Sequence, residues 1–237
     1  MSRVIFSEKN GKLVVSGVED LHTKDGIVTV EDLVKGGKVK STLDQDFYVT
    51  EASFHDKLIK IKRGPAIMIA KDIGQIIAHT GLSKEWSVLD AGAGCGVLAC
   101  TLSRVVKSVV SYEQREDHLK IALKNAEILD CEVDFKLKDI YSGIDEKDLD
   151  LITLDLTEPW RVFDSANGAL KKGGYLVCYI PTVSQIQNIV ENVDDSKFFV
   201  EKTLEVLERE WHTDGLKVRP KNRMIAHTGF LVFLRKI

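Results

Sequence analysis

No stretch of the 237-residue chain is apolar for long enough to cross a bilayer. The opening residues, Met1-Ser2-Arg3-Val4-Ile5, carry no apolar signal-peptide region. These absences exclude a helical membrane protein and point to a cytoplasmic one. Cysteine is sparse: Cys95, Cys100, Cys131 and Cys178 form no CxxC pair and no zinc spacing. Neither a disulfide scaffold nor a zinc or other metal site is expected, and the thiols read as buried groups in a reducing compartment. Positive charge is not in excess either, because the formal net charge is −3. Taken as an average, that is not the profile of a nucleic-acid binder. The chain also lacks internal repeats and low-complexity segments.

What is present is the composition of an ordinary globular protein, 44% hydrophobic and 29% charged. The length suits one full α/β domain plus a small module. The average charge hides an asymmetry. From Arg209 to the end, seven bases (Arg209, Lys217, Arg219, Lys221, Arg223, Arg235 and Lys236) stand against two acids, Glu210 and Asp214. A second basic stretch holds Lys57, Lys60, Lys62 and Arg63. Phosphate binding depends on such local charge rather than on the global balance. By itself, however, the pattern fits a solvated face better.

Residues 1–62 read as a small N-terminal β domain. Segments rich in β-branched and aromatic residues, such as 12–16, 27–30 and 46–49, are punctuated by Gly11, Gly17, Gly26, Gly36 and Gly37. Residues 63–237 read as a separate catalytic domain in which strands and helices alternate. Helices are predicted over 66–81, 97–106, 116–129, 162–170 and 184–192. Strands are predicted over 87–90, 108–113, 133–137, 150–155, 174–180, 198–209 and 229–234. Alternation of this kind argues a parallel, doubly wound sheet, which takes its ligand at the carboxyl ends of the strands.

The chemistry concentrates at those ends. The first strand runs into Asp90-Ala91-Gly92-Ala93-Gly94-Cys95-Gly96-Val97-Leu98. Glycines let the backbone approach a ligand and adopt positive φ. The spacing is GxGxG, with Val97 where a dinucleotide fold would place its third glycine. Asp90 is suited to organising this turn and the cationic methionine end of a cofactor. The second strand ends in Glu113, placed to take both ribose hydroxyls of an adenosine, as an acid about 20 residues on does in nucleotide folds. The third ends in Asp139, suited to the adenine amino group, with Ile140 and Leu98 flanking the base and His118 nearby. Together these residues specify an α/β, Rossmann-like class I fold that binds S-adenosyl-L-methionine. Taken alone, the glycine turn fits a mere tight turn, and Asp139 fits a turn cap.

Four blocks carry a resemblance to a known family. They are Arg63-Gly64-Pro65 with Lys71-Asp72, then 111–117 (SYEQRED), then 154–160 (LDLTEPW), and finally Arg219-Pro220 with 227–231 (HTGFL). In these the chain resembles the archaeal and bacterial tRNA adenine-N1 methyltransferases of the TrmI family, over nearly its whole length. The resemblance implies N1-methyladenosine formation in the tRNA T-loop, at position 58 and in some archaeal members also at 57. It further implies a homotetramer with a small N-terminal β domain. Ala66, Ile69, Ala70 and Thr157 depart from the family pattern. Ile69 removes an aromatic or His candidate for contact with the target base.

Adenine N1 already carries a lone pair, so catalysis would rest mostly on positioning. Asp155, ending the fourth strand, is the candidate to stabilise the charge that develops on adenine; it is also a candidate cofactor ligand. Trp160, Arg219, Arg223 and His227 are the candidate tRNA contacts. Trp160, Tyr141 and Tyr179 are possible stacking groups, although an aromatic residue in such a setting is more often core. Two other readings stay open. One is a methyltransferase of a small molecule such as a precorrin, which would not need the basic 219–223 segment. The other is a non-catalytic RNA-binding subunit, which the intact glycine turn argues against.

Overall fold

The computed structural model describes residues 2–7, 11–62, 64, 67–194 and 197–237. Arg63, Pro65 and Ala66, which belong to one block of the family resemblance, lie outside them. The chain divides into two compact units, Met1–Lys62 and Arg63–Ile237.

In the first unit, β1 (Ser2–Ser7), β2 (Gly11–Ser16), β5 (Gly37–Lys40) and β6 (Asp46–Glu51) form an antiparallel sheet of order β2-β1-β6-β5. A hairpin of β3 (Leu21–Thr23) and β4 (Gly26–Val28) and a short helix, α1 (Val30–Lys35), complete a core of Ile5, Val28, Leu33, Val39, Phe47 and Val49. The last element, α2 (Phe54–Lys57), starts in a capping box in which Ser53 and Asp56 satisfy each other's backbone amides. Asp56 also pairs with Lys12, and these hydrogen bonds hold its carboxyl down to about 2.

The second unit is built on α3 (Ala70–Thr80), β7 (Ser87–Ala91), α4 (Val97–Ser103), β8 (Ser108–Glu113), α5 (Glu116–Leu129), β9 (Asp134–Leu137), β10 (Leu149–Asp155), α6 (Phe163–Ala169), β11 (Leu170–Ile180), α7 (Val183–Asn192), β12 (Phe198–Glu205), β13 (Trp211–Asp214), β14 (Lys217–Pro220) and β15 (Phe230–Lys236). Seven strands form one sheet of order β12-β15-β11-β10-β7-β8-β9. From β11 through β9 every pairing is parallel. The chain steps outward from β7 to β8 and β9, then returns to place β10 on the other side of β7. The order therefore reverses between β7 and β10, which is where an open α/β sheet leaves a crevice for a ligand.

The sheet departs from the predicted all-parallel form at one edge, where β15 runs antiparallel to both β11 and β12. No helix separates β12 from β15, so these two pair as antiparallel neighbours. Helix α3 also begins later than predicted, at Ala70. The preceding residues 67–69 are non-helical, with Met68 buried and Ile69 extended at the helix cap. Its buried stripe of Asp72, Ile73, Ile76 and Thr80 has helical spacing, and Gly81 ends it in the left-handed conformation. Strand β12 stops at Glu205, short of the predicted 209. Residues 211–220 form a separate hairpin, β13-β14, that the strand reading missed.

Candidate active site

Three strand ends and one tight turn build the site. The turn after β7 is held from both sides by its own fold. The amides of Gly92 and Ala93 donate to the carbonyl of Tyr112 on β8 at 3.0 and 3.2 Å. The Gly94 amide donates to Glu113 Oε2 at 2.9 Å. On the helix side, buried Asn125 of α5 donates from Nδ2 to the Cys95 carbonyl at 2.9 Å. Gly92 has φ +89°, and a Cβ there would fall 2.2 Å from the carbonyl oxygen of Asp155. No side chain fits at this position, so the turn lies directly on the end of β10. Gly96 is constrained differently: its φ is +81°, and a Cβ would sit 3.2 Å from Ala122 and Phe135. It serves the packing of the turn on α5 and β9.

A cavity of about 470 Å³ opens beside this turn. Of the predicted cofactor residues, Gly92, Gly94, Glu113, His118, Asp139, Ile140 and Asp155 line it, together with Tyr141. Ala93, Cys95, Val97 and Leu98 border a smaller depression that shares Gly92, Gly94 and Asp155 with the first. Asp90 and Gly96 line neither. The buried Asp90 carboxylate accepts from Ser111 Oγ at 2.7 Å and from Thr153 Oγ1 at 2.8 Å, cross-tying β7, β8 and β10. Burial outweighs these two hydrogen bonds and pushes its pKa up to about 6. Its position is therefore behind the turn it organises.

Glu113 accepts from the amides of Gly94 and Arg115, and His118 Nδ1 lies 3.9 Å from its Oε2. Asp139 Oδ1 accepts from the Tyr141 amide at 2.9 Å, the turn cap that its sequence position also suggested. The Asp155 carboxylate takes no hydrogen bond from the described residues. Burial, followed by the neighbouring carboxylates of Asp90 and Glu113, raises its pKa to about 7.

The predicted tRNA contacts are dispersed. Trp160, in the 3-10 turn after β10, is half-buried against the core. Arg219 lies on β14, where it donates to Asn222 Oδ1 at 3.1 Å. Arg223 borders a cleft with Ile69, Lys71 and Lys221. His227 is engaged at both ring nitrogens, Nδ1 with Glu205 Oε1 at 2.6 Å and Nε2 with the Pro181 carbonyl at 2.8 Å. Both partners are acceptors and favour the protonated ring, so its pKa is raised, first by Glu205 and then by Pro181. Other basic residues of this stretch also have internal partners: Lys221 pairs with Glu210, Arg235 lies over the Tyr175 ring, and Lys236 donates to the Leu170 carbonyl.

The residues present fit S-adenosylmethionine. Acids end successive strands around one cavity, and a glycine that tolerates no side chain shapes its floor. This fold and this site define a class I S-adenosylmethionine-dependent methyltransferase. The family model described as the tRNA methyltransferase complex GCD14 subunit matches residues 59–222. A TrmI protein of Methanocaldococcus jannaschii, named a tRNA (adenine(57)-N(1)/adenine(58)-N(1))-methyltransferase, is 34% identical over 98% of this chain and 94% of its own. The chain belongs to this family of tRNA methyltransferases. Two solved structures share the fold. The Aquifex aeolicus TrmI, a tRNA (m1A58) methyltransferase, superposes with a TM-score of 0.84 at 25% identity, covering 100% of this chain and 97% of its own. A Thermotoga maritima protein described as a SAM-dependent O-methyltransferase superposes with a TM-score of 0.88 at 28% identity, covering 100% and 92%.

Sequence reasoning missed Asn125, Ser111 and Thr153, which hold the turn and Asp90 from behind. Only Asn125 left a signal, as a polar residue on the stripe of Ala122, Ala126 and Leu129 that α5 buries.

Proposed function

We propose that this protein methylates N1 of adenosine 58 in the T-loop of tRNA, and that adenosine 57 is a second target. The observation that carries the reading is Asp155, a carboxylate without a hydrogen bond from the described residues, standing beside the glycine turn of a chain whose near-full-length relative bears that activity in its name. Glu113, Asp139 and Ile140 would hold the adenosine part of the cofactor, and the turn 92–98 would hold its methionine part. Bound S-adenosylmethionine supplies an electrophilic methyl group. The chain's own part is to place adenine N1 in line with it. Asp155 stabilises the positive charge that appears on the base and then accepts a proton from the 6-amino group. The target nucleotide leaves its stack to enter the site. Arg219 and Arg223 contact phosphates, and Trp160 supports the entry from its half-buried place. His227 contributes by anchoring its loop. A homotetramer acting in the cytoplasm completes the reading. Light scattering is expected to give four times the 26.5 kDa of one chain.

The test is incubation with labelled S-adenosylmethionine and unmodified tRNA, followed by nucleoside analysis. Label in N1-methyladenosine is the expected result. Cofactor binding without label in tRNA would overturn the substrate and favour a small-molecule acceptor. Failure to bind the cofactor would instead indicate a non-catalytic RNA-binding subunit.

A further inference from the structure

One charged pair is buried next to the site without a part in the chemistry above. Lys71 and Asp72 open α3, and their side chains are 4% and 0% exposed. Lys71 Nζ donates to Asp72 Oδ1 at 2.8 Å and to Thr228 Oγ1 at 2.6 Å. Thr228 Oγ1 donates to Asp72 Oδ2 at 2.7 Å, and the Tyr179 hydroxyl donates to the same oxygen at 3.4 Å. Four side chains from three distant stretches thus close one network. In a buried ion pair the cost of desolvation offsets most of the attraction. What such a pair supplies well is a defined geometry, because any arrangement that breaks it leaves a charge unpaired.

The geometry it defines reaches Asp155. Tyr179 on β11 is in register with Asp155 on β10, so the two side chains leave the same face at adjacent strand ends. The Tyr179 ring is packed on Gly229, where a Cβ would come within 2.6 Å of it. One residue, Thr228, therefore ties the loop before β15 to α3, and its neighbour Gly229 closes on the ring. The titratable groups that face Asp155 are Asp90 on β7, Glu113 on β8, Cys95 in the glycine turn and Tyr179 on β11.

We propose that Lys71, Asp72 and Thr228 are positioning residues, a lock that fixes the 227–229 loop on α3 and holds Tyr179 as a rigid wall beside Asp155. The proposal rests on the role given to Asp155 above. None of the three acts on the substrate itself. Losing the Thr228 hydroxyl leaves Lys71 and Asp72 short of a partner in a buried setting. It also unties the loop from α3 and loosens Tyr179, and more water then reaches Asp155 beyond the cavity it already lines.

The test compares Thr228→Val, which keeps shape and loses the hydroxyl, with Thr228→Ser, which keeps the hydroxyl. In the full-length protein Thr228→Val is expected to retain cofactor affinity and the KM for tRNA. Its kcat should fall about 10- to 100-fold, the scale of an ångström-sized misplacement. The acid limb of its pH–rate profile should move to lower pH as Asp155 gains water. Thr228→Ser should restore most of both. Wild-type kcat and an unmoved pH limb in Thr228→Val would overturn the lock. Should wild-type protein place no methyl group on tRNA, the functional reading fails, and the lock is judged on the 13C-carboxyl titration of Asp155, assigned with Asp155→Asn. A lower titration point in Thr228→Val supports the lock and an unchanged one overturns it. If Thr228→Val does not fold, Tyr179→Phe removes only the hydroxyl end of the network. It is read by the same kcat, pH limb and carboxyl titration, with the same outcomes deciding.

Discussion

The catalytic role proposed for Asp155 rests on surroundings that disfavour its charge. With burial first and then Asp90 and Glu113 beside it, its pKa is raised from 3.8 to about 7. The carboxylate is the form that can stabilise a cationic adenine, so kcat/KM is expected to rise with pH through about 7. Asp155→Asn should lose roughly 10²- to 10⁴-fold in turnover while still binding cofactor, which methylation kinetics and calorimetry would show. Stability should move the other way. A carboxyl whose folded pKa is raised contributes stability that is fully present below its unfolded value of 3.8 and is lost as pH rises through about 7. Thermal melts should therefore find Asp155→Asn more stable than wild type at pH 8, with the gap closing as pH falls towards 4. Gly92 is the second decisive residue. Gly92→Ala drives a methyl group into the Asp155 carbonyl, 2.2 Å from the ideal Cβ. Cofactor affinity measured by calorimetry should collapse while far-UV dichroism stays near native.

At the scale of elements, the glycine turn is held by its neighbours as well as by its own hydrogen bond from the Gly96 amide to the Ala93 carbonyl at 2.7 Å. Glu113 ties it to β8 and Asn125 ties it to α5. Asn125→Leu should leave the Cys95 carbonyl buried without this donor, at a cost of about 1–3 kcal/mol. Denaturant melts should register that loss, and calorimetry a weaker cofactor complex. The turn itself was readable from residues 90–98 because its glycines and its flanking strand and helix are local features. The tie from Asn125 was not, since it joins residues thirty positions apart. The β13-β14 hairpin shows a different limit. Its strands are largely exposed, with Trp211 and Val218 more than half accessible, so no alternation of buried and exposed residues marks them. The Asp214-Gly215 pair at the turn, with Gly215 at φ +54°, was the available signal.

For the molecule as a whole, binding to an anionic partner must come from local charge, because the net charge is −3. The structure narrows that supply. Lys221, Arg235 and Lys236 already serve internal partners, while Arg219, bonded only to its near neighbour Asn222 among the described residues, and Arg223 stand on the exposed 217–225 stretch. Affinity for tRNA, measured by filter binding, should fall linearly in log–log form with salt, and each lost phosphate contact lowers the slope by about 0.7 to 0.9. Arg219→Ala with Arg223→Ala should flatten it by between one and two. A flat response in wild-type protein would remove phosphate contacts from the mechanism.

The sequence by itself determined the class of fold, the glycine turn and the acids at the strand ends, because strand-turn-helix patterns and their spacing are written in neighbouring residues. Its motifs also identified the family. Only the tertiary structure decided which of those residues share a cavity and which stand behind it: Asp139 lines the wall, whereas Asp90 is consumed by Ser111 and Thr153. It likewise bonded the candidate RNA contact His227 at both ring nitrogens, to Glu205 and to Pro181, and joined Lys71-Asp72 to Thr228 across more than 150 positions. Hydrogen bonds and burial of this kind depend on which strand ends meet, and that is set by the order of the sheet, not by distance along the chain.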